Sequence, residues 1–303
     1  MDRFTAMQTF ARVVEDGSFA KAADRLGIST SACSRYVAEL EAHLDARLLN
    51  RTTRRLSLTE SGQAFYERCV QVLADLAEAE QAASTSASRP RGTLRLTCGI
   101  SFGVRHVARL VGAFVARHPE VRFDVQLSDR FVDLVEEGFD LALRIGESPS
   151  QNLIARKLGE TRLVPCAAPL YLRERGAPGV PADLARHACL TYEYLPLRST
   201  WRFQAPAAGE QAVRVSGPVH ANNGDMLAAA AAEGIGIAME PDFIVAADLA
   251  AGRLVRVLAE YAPAPAGIYA VYPSRRHLSA KVRAFVDFLA ERFAAGDLAV
   301  AGP

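Results

Sequence analysis

Residues 18–62 read SFAKAADRLGISTSACSRYVAELEAHLDARLLNRTTRRLSLTESG. Ser18 is placed to cap a helix over 19–26, and Gly27 ends it. Ser29 or Thr30 then caps a second helix, in which Val37, Leu40 and Leu44 keep a helical spacing. Ala22 and Ala23 stand where two helices would touch, and Gly27 tolerates the positive φ of a tight turn. With Leu26, Ile28, Cys33 and Val37 as apolar anchors, the segment supplies the parts of a helix-turn-helix: small contacts, a permissive turn and a fixed second helix. The following segment, RLLNRTTRRLSLT (47–59), flanks an arginine tip with leucine and β-branched residues and reads as a two-stranded ribbon, or wing.

Outward from this stretch, apolar residues at 4, 7, 10, 11 and 14 form one face of a preceding helix. After the wing, Thr59 opens a long helix in which Phe65, Cys69, Val72, Leu73, Leu76, Ala79 and Ala83 keep a 3–4 spacing to about residue 85. An apolar stripe of that length asks for a partner, either a second copy or the rest of the chain. STSASRPRG (84–92) is a small-residue, proline-containing linker. Beyond it, strand-like runs at 93–99, 121–128, 139–146, 161–167, 189–193, 213–219, 235–239 and 267–273 alternate with helical patterns at 104–117, briefly after 128, and at 224–233, 241–250 and 278–294. This order predicts parallel sheets with crossover helices in two lobes. The predicted fold class is α plus α/β. A winged helix-turn-helix occupies 1–62, a linker helix and hinge 63–92, and a bilobal α/β domain 93–303, with lobe I at about 93–162 and 267–303 and lobe II at about 163–266.

Composition sets the outer bounds. At 303 residues, 50% of them apolar and 23% charged, the chain is globular and too long for one ordinary core. No apolar run reaches the roughly 18 residues of a membrane span, and no secretion signal is visible, so a cytoplasmic location is expected. The five cysteines are scattered without a C-x-x-C pair, which predicts no disulfide framework, no metal and no cofactor. Cys98 and Cys166 lack the adjacent basic residues that activate a thiol and read as buried and inert. Nucleophile-elbow, phosphate-loop and H-E-x-x-H patterns are absent from the sequence, so no enzyme is expected.

The net charge is +1, and residues 1–92 balance 12 Lys and Arg against 12 Asp and Glu. Affinity for double-stranded DNA must therefore come from local placement. With the anchors buried, Ser29, Thr30, Ser31, Ser34 and Arg35 face outward on the second helix, where a helix-turn-helix meets the major groove. Hydroxyls there contact bases or phosphates, and Arg35 reads guanine bidentately or clamps a phosphate. The wing adds Arg47, Arg51, Arg54 and Arg55, with no acid between Ala46 and Thr59, a set suited to the minor groove or the backbone. In the bilobal part, Ser101, Phe102, Ser128 and Arg144 follow or end strands, and Trp201, Asn222 and Asn223 occupy comparable places in the other lobe, so these are the candidate effector contacts. A cation at a strand end asks for an anion, so Arg144 points to a small anionic or aromatic effector. Ser101 and Asn222 serve equally as helix caps, and Trp201 as core.

The stretch 18–62 resembles the head of LysR-type transcriptional regulators. Ala22, Ala23, Leu26, Ser34, Arg35, Leu40, Glu41, Leu48, Leu49, Arg51, Thr52, Leu58, Thr59, Glu60 and Gly62 carry the likeness. The long helix and the bilobal part, itself similar to periplasmic binding proteins, extend it along the chain. Two positions depart: Thr30 and Ser31 stand where that family often has glutamine followed by a small residue or proline, and Leu44 is followed by Asp45 rather than glycine. The resemblance implies a DNA-binding regulator whose long helix pairs in a homodimer, with dimers joining into tetramers, an inducer held between the lobes, and contact with RNA polymerase. A solute-binding protein with no transcriptional role is the alternative that residues 93–303 alone would fit.

Overall fold

The computed structural model describes residues 2–52, 55–83, 89–146, 153–194, 199–205, 209–273 and 278–296. The chain divides into two compact units, Met1–Ser88 and Arg89–Pro303. The first unit contains α1 (Arg3–Asp16), α2 (Phe19–Leu26), α3 (Thr30–Leu44), β1 (Leu49–Thr52), β2 (Arg55–Leu58) and α4 (Glu60–Ala83). Each of the first three helices has a side-chain cap at its start: Asp2 accepts from the Phe4 N–H, Ser18 from the Lys21 N–H and Ser29 from the Ala32 N–H. Gly27 closes α2 with φ 66°, the left-handed turn expected there.

Ala6, Phe10 and Val13 of α1, Ala22 and Ala23 of α2, and Cys33, Val37 and Leu40 of α3 form one core, closed by Leu48, Leu49 and Cys69. The antiparallel β1–β2 ribbon is anchored to this core from beneath. One carboxylate oxygen of Glu41 accepts from the backbone N–H groups of both Leu48 and Leu49, at 2.9 and 3.1 Å. Thr59 caps α4 by accepting from the Gly62 N–H while donating to the Arg47 carbonyl. Gly62 itself lies against the Leu48 backbone, where any Cβ would overlap the carbonyl.

The second unit contains, in order, β3 (Gly92–Cys98), α5 (Ile100–Phe102), a π-helical turn Gly103–Val107, α6 (Ala108–Arg117), β4 (Val121–Leu127), β5 (Leu141–Gly146), β6 (Leu153–Thr161), β7 (Leu163–Ala167), α7 (Pro169–Arg175), a 3₁₀ turn Pro181–Arg186, β8 (Thr191–Tyr192), β9 (Thr200–Ala205), β10 (Gly209–Arg214), β11 (His220–Ala221), α8 (Gly224–Ala232), β12 (Ile237–Pro241), α9 (Asp242–Ala250), β13 (Val255–Arg256), β14 (Ala262–Pro263), β15 (Ala266–Pro273) and α10 (Ala280–Ala294). One lobe is built on a five-stranded sheet of order β4-β3-β5-β15-β6. The other holds the sheets β12-β7-β13, β11-β8 and β10-β9-β14. α6 and α10 cover one face of the large sheet. There Phe114 meets Phe285 at 4.9 Å between ring centroids, over Leu94, Leu96 and Leu141. Each such side chain contributes about 1.5–3 kcal/mol by leaving water.

Four expectations need correction. The large sheet is mixed: β3 runs parallel to β4 and β5, but β15 enters antiparallel between β5 and β6, and β12-β7-β13 is antiparallel throughout. Strand-helix alternation fixes which segments are strands, but the direction of β15 is set by the chain's return from the second lobe. Edge strand β6 falls in a stretch assigned no element, because it is largely uncovered and carries no buried run. The short helix expected after residue 128 is a series of turns, and the helix expected over 104–117 begins with the π turn.

Candidate nucleic-acid interface and effector cavity

On α3, Cys33, Val37 and Leu40 are buried while Thr30, Ser31 and Arg35 are exposed, so one face is spent on the core and the opposite one is free. Ser29 is exposed and caps the helix, its Oγ 2.9 Å from that of Ser31; Ser34 is half-buried. Arg35 lies over the Tyr36 ring and reaches Glu39 only at 3.9 Å, a weak tether for an exposed guanidinium. Ala38 continues the exposed face one turn on and was not among the expected contacts. Its small apolar side chain offers a methyl contact to a base but no polar signature in the sequence. In the wing, Arg51 pairs with Leu56 and Thr52 with Arg55 across the ribbon. The side chains of Arg51 and Arg55, and all of Arg54, lie outside the described residues.

The second unit encloses a cavity of about 330 Å³ whose walls come from both lobes. Ser101, Phe102, Asp129, Phe131 and Arg144 contribute from the five-stranded side, and Tyr192, Tyr194, Glu240 and Phe243 from the other. Three sets of contacts join the lobes at its edge. The Asp225 carboxylate accepts from Ser101 Oγ and from both terminal nitrogens of Arg105 on the π turn. Asp129 accepts from the Ile100 N–H at 3.2 Å and from Asn223 Nδ2 at 3.3 Å. Phe131 and Tyr194 meet edge to face, 6.1 Å between centroids. Burial works against the charge of Asp225, but hydrogen bonds from Arg105 and Ser101 hold its pKa below the ordinary value. At Asp129 burial prevails over its hydrogen bonds and raises the pKa.

Arg144 donates to the carbonyls of Ser128 and Arg130 and to Thr97 Oγ1, all neutral oxygens. Burial lowers its pKa, and Asp129 is among the groups that work the other way. Glu240 is 3% exposed, and its Oε1 has no hydrogen-bond partner among the described residues. Burial, then the fields of Asp225 and Asp129, raise its pKa well above the ordinary value. Gly224, the first residue of α8, makes room for this carboxyl: a Cβ there would stand 2.5 Å from Glu240 Oε2.

Residues 4–63 match the family described as "Bacterial regulatory helix-turn-helix protein, lysR family", and residues 87–294 match the "LysR substrate binding domain". The chain belongs to the LysR family. LysR-type regulators are DNA-binding transcription regulators with an effector-binding regulatory domain, and this chain has both parts. An HTH-type transcriptional regulator of Xanthomonas campestris pv. campestris is 40% identical over 286 residues, spanning 93% of this chain and 83% of that protein. The HTH-type transcriptional regulator DmlR of Escherichia coli is 38% identical over 292 residues, spanning 95% and 94%. Among solved structures, CrgA of Neisseria meningitidis, a LysR-type transcriptional regulator, superposes with a TM-score of 0.59 at 35% identity, covering 95% of this chain and 98% of that one.

Within this LysR-type chain the structure redistributes the candidate effector residues. Ser101, Phe102 and Arg144 line the cavity. Trp201 does not: it is 1% exposed on β9 and packs with Tyr171, Phe203 and Ile237, because the β9–β10 pairing turns it into the lobe's own core. Asn222 is exposed, and the capping role falls to Asn223, which accepts from the Met226 N–H while donating to Asp129. Ser128 contributes a backbone carbonyl to Arg144 and no cavity-lining side chain. The reason for expecting an anion at Arg144 also weakens, since its donors already have three oxygens. Glu240 and Asp225 were absent from the expected set, while Asp129 follows the second strand of this domain beside the expected Ser128. The signal for Glu240 was an acid closing the otherwise apolar run GIGIAME (234–240). All five cysteines are buried and free, and burial pushes Cys98 and Cys166 up to about 12. Among the described residues no helix is long and apolar enough to cross a membrane.

Proposed function

We propose that the protein reads a two-fold symmetric DNA site through α3 and the wing, and that a small molecule in the inter-lobe cavity biases that reading. The observation carrying the DNA half is the division of α3 into a buried face of Cys33, Val37 and Leu40 and an exposed face of Thr30, Ser31 and Arg35. Ser29, Ser34 and the wing arginines 51, 54 and 55 complete the contact set. The head works as residues 1–62, the linker as 63–92 and the sensor as 93–303. α4 carries exposed Val70 and Val72, and pairing with a second copy covers that stripe. Dimers, and tetramers built from them, present paired heads to DNA in the cytoplasm, where RNA polymerase is the further partner.

The effector half rests on the cavity being walled by both lobes. A ligand that fits one lobe arrangement better than another shifts their equilibrium by its differential affinity, and coupling to the heads follows by linkage. Aromatic walls favour a ligand with a flat or apolar body. Fluorescence anisotropy of the full chain on DNA from upstream of its own gene tests the reading. Affinity falls steeply with salt, and Arg35→Ala lowers it by about 5- to 100-fold. Binding that is insensitive to both salt and Arg35→Ala contradicts it.

A further inference from the structure

The cavity holds a carboxyl that the fold leaves without a partner. Glu240 is the penultimate residue of strand β12 and is 3% exposed; no hydrogen bond or ion pair satisfies its side chain among the described residues, and its Oε1 is both buried and unpaired. A buried polar group left in this state is destabilising, and a bound donor would recover that loss. Gly224 lies directly against the carboxyl, where a Cβ would stand 2.5 Å from Oε2. Asp129 lines the same cavity, and neither of its hydrogen bonds, from a backbone amide and a side-chain amide, brings a positive charge. The nearby cations are committed elsewhere: Arg105 is paired bidentately with Asp225, and Arg144 is held by three neutral oxygens. Phe102, Tyr192 and Phe243 line the same cavity. An acid without a donor at Glu240 and one without a cationic donor at Asp129, inside aromatic walls, are complementary to an organic cation, which gains both a charge-assisted hydrogen bond and cation–π attraction. An inorganic divalent ion is a poor fit, because among the described residues no group of three metal-ligating side chains comes together.

We propose that the cavity binds a small organic ammonium, its cationic head taken by Glu240 with Asp129 beside it and its apolar body lying against Phe102, Tyr192 and Phe243. This rests on reading the cavity as the effector site. Glu240 faces Asp225 on α8, Asp129 after β4, Tyr192 on β8 and Cys166 on β7. With two acids near it and burial around it, the empty site holds the carboxyl protonated to higher pH than a free glutamate. An arriving cation works the other way and favours the charged carboxylate.

Isothermal titration calorimetry of the full-length protein decides the matter with three probes that share a phenylethyl body: 2-phenylethylamine, 2-phenylethanol and 3-phenylpropanoate. The amine is expected to bind at least about tenfold more tightly than the alcohol or the acid. Glu240→Gln is expected to remove that preference while leaving the weak affinity for the alcohol in place, which shows that the variant cavity is intact. The proposal is overturned if the amine fails to bind, if the acid or the alcohol binds as tightly, or if Glu240→Gln keeps wild-type affinity for the amine. Ile145→Trp, which fills the cavity, separates the two layers. Preferred binding of the acid or the alcohol that Ile145→Trp abolishes sinks the ammonium proposal and leaves the effector site standing, whereas probe binding that survives Ile145→Trp sinks both.

Discussion

Gly62 sits where the first turn of α4 crosses the backbone entering the wing, and no other residue leaves that contact intact. Gly62→Ala forces the Leu48 carbonyl aside and is expected to destabilise the head by about 3 kcal/mol, read as a lowered midpoint in denaturant unfolding. Asp45 shows the opposite economy. It closes α3 with φ 49°, a left-handed conformation that costs an L residue free energy, so Asp45→Gly is expected to stabilise the head by about 0.5–1 kcal/mol. The departure from glycine seen in the sequence is thus a real strain at that position. Glu240 has a pH signature of its own. Its folded pKa lies above the ordinary 4.5, so between those two values the folded state binds more protons than the unfolded one, and stability falls as pH rises. Glu240→Gln removes that loss. Its melting temperature should exceed the wild type's by a margin that grows from mildly acidic to alkaline pH, and a margin that shrinks with pH contradicts the assignment.

At the scale of elements, what was legible followed from local chemistry. Ser18, Gly27 and Ser29 bracket α2 and open α3 because capping and left-handed turns act over a few residues, and these elements begin and end where the residues indicate. The candidate DNA face followed in the same way, since the buried positions of α3 are set by helical spacing. The cavity was only partly legible. Ser101 and Arg144 stand at strand ends where a general rule for α/β lobes finds them, whereas Glu240 and Asp225 come to the site through the pairing of β12 with β7 and the docking of α8, contacts between distant segments. Trp201 misled for the converse reason: its partners across β9 and β10 are invisible to local pattern. The inter-lobe contacts at Asp225 carry a testable consequence. Asp225→Ala deprives Ser101 and Arg105 of their shared acceptor, and hydrogen exchange should quicken in the first turn of α8 and in residues 100–107, with the α6–α10 face unchanged. Unaltered exchange around 100–107 would mean the lobes are held together by other contacts.

For the molecule as a whole, a near-neutral chain binds a polyanion only by concentrating cationic and hydroxyl groups where DNA meets it. In the proposed reading, Arg35 and its hydroxyl neighbours are the part of that surface that reads bases, and paired heads impose symmetry on what they read. In-vitro selection of bound sequences from a random pool, run in parallel with wild-type protein and Arg35→Ala, tests this most directly. The wild type should enrich two-fold related half-sites whose centres are separated by about 10 base pairs or a multiple of that turn. Arg35→Ala should lose preference at one symmetric base position while keeping the spacing. Enrichment of the same bases by both proteins, or of an asymmetric single site by the wild type, would contradict recognition through α3 of a paired head.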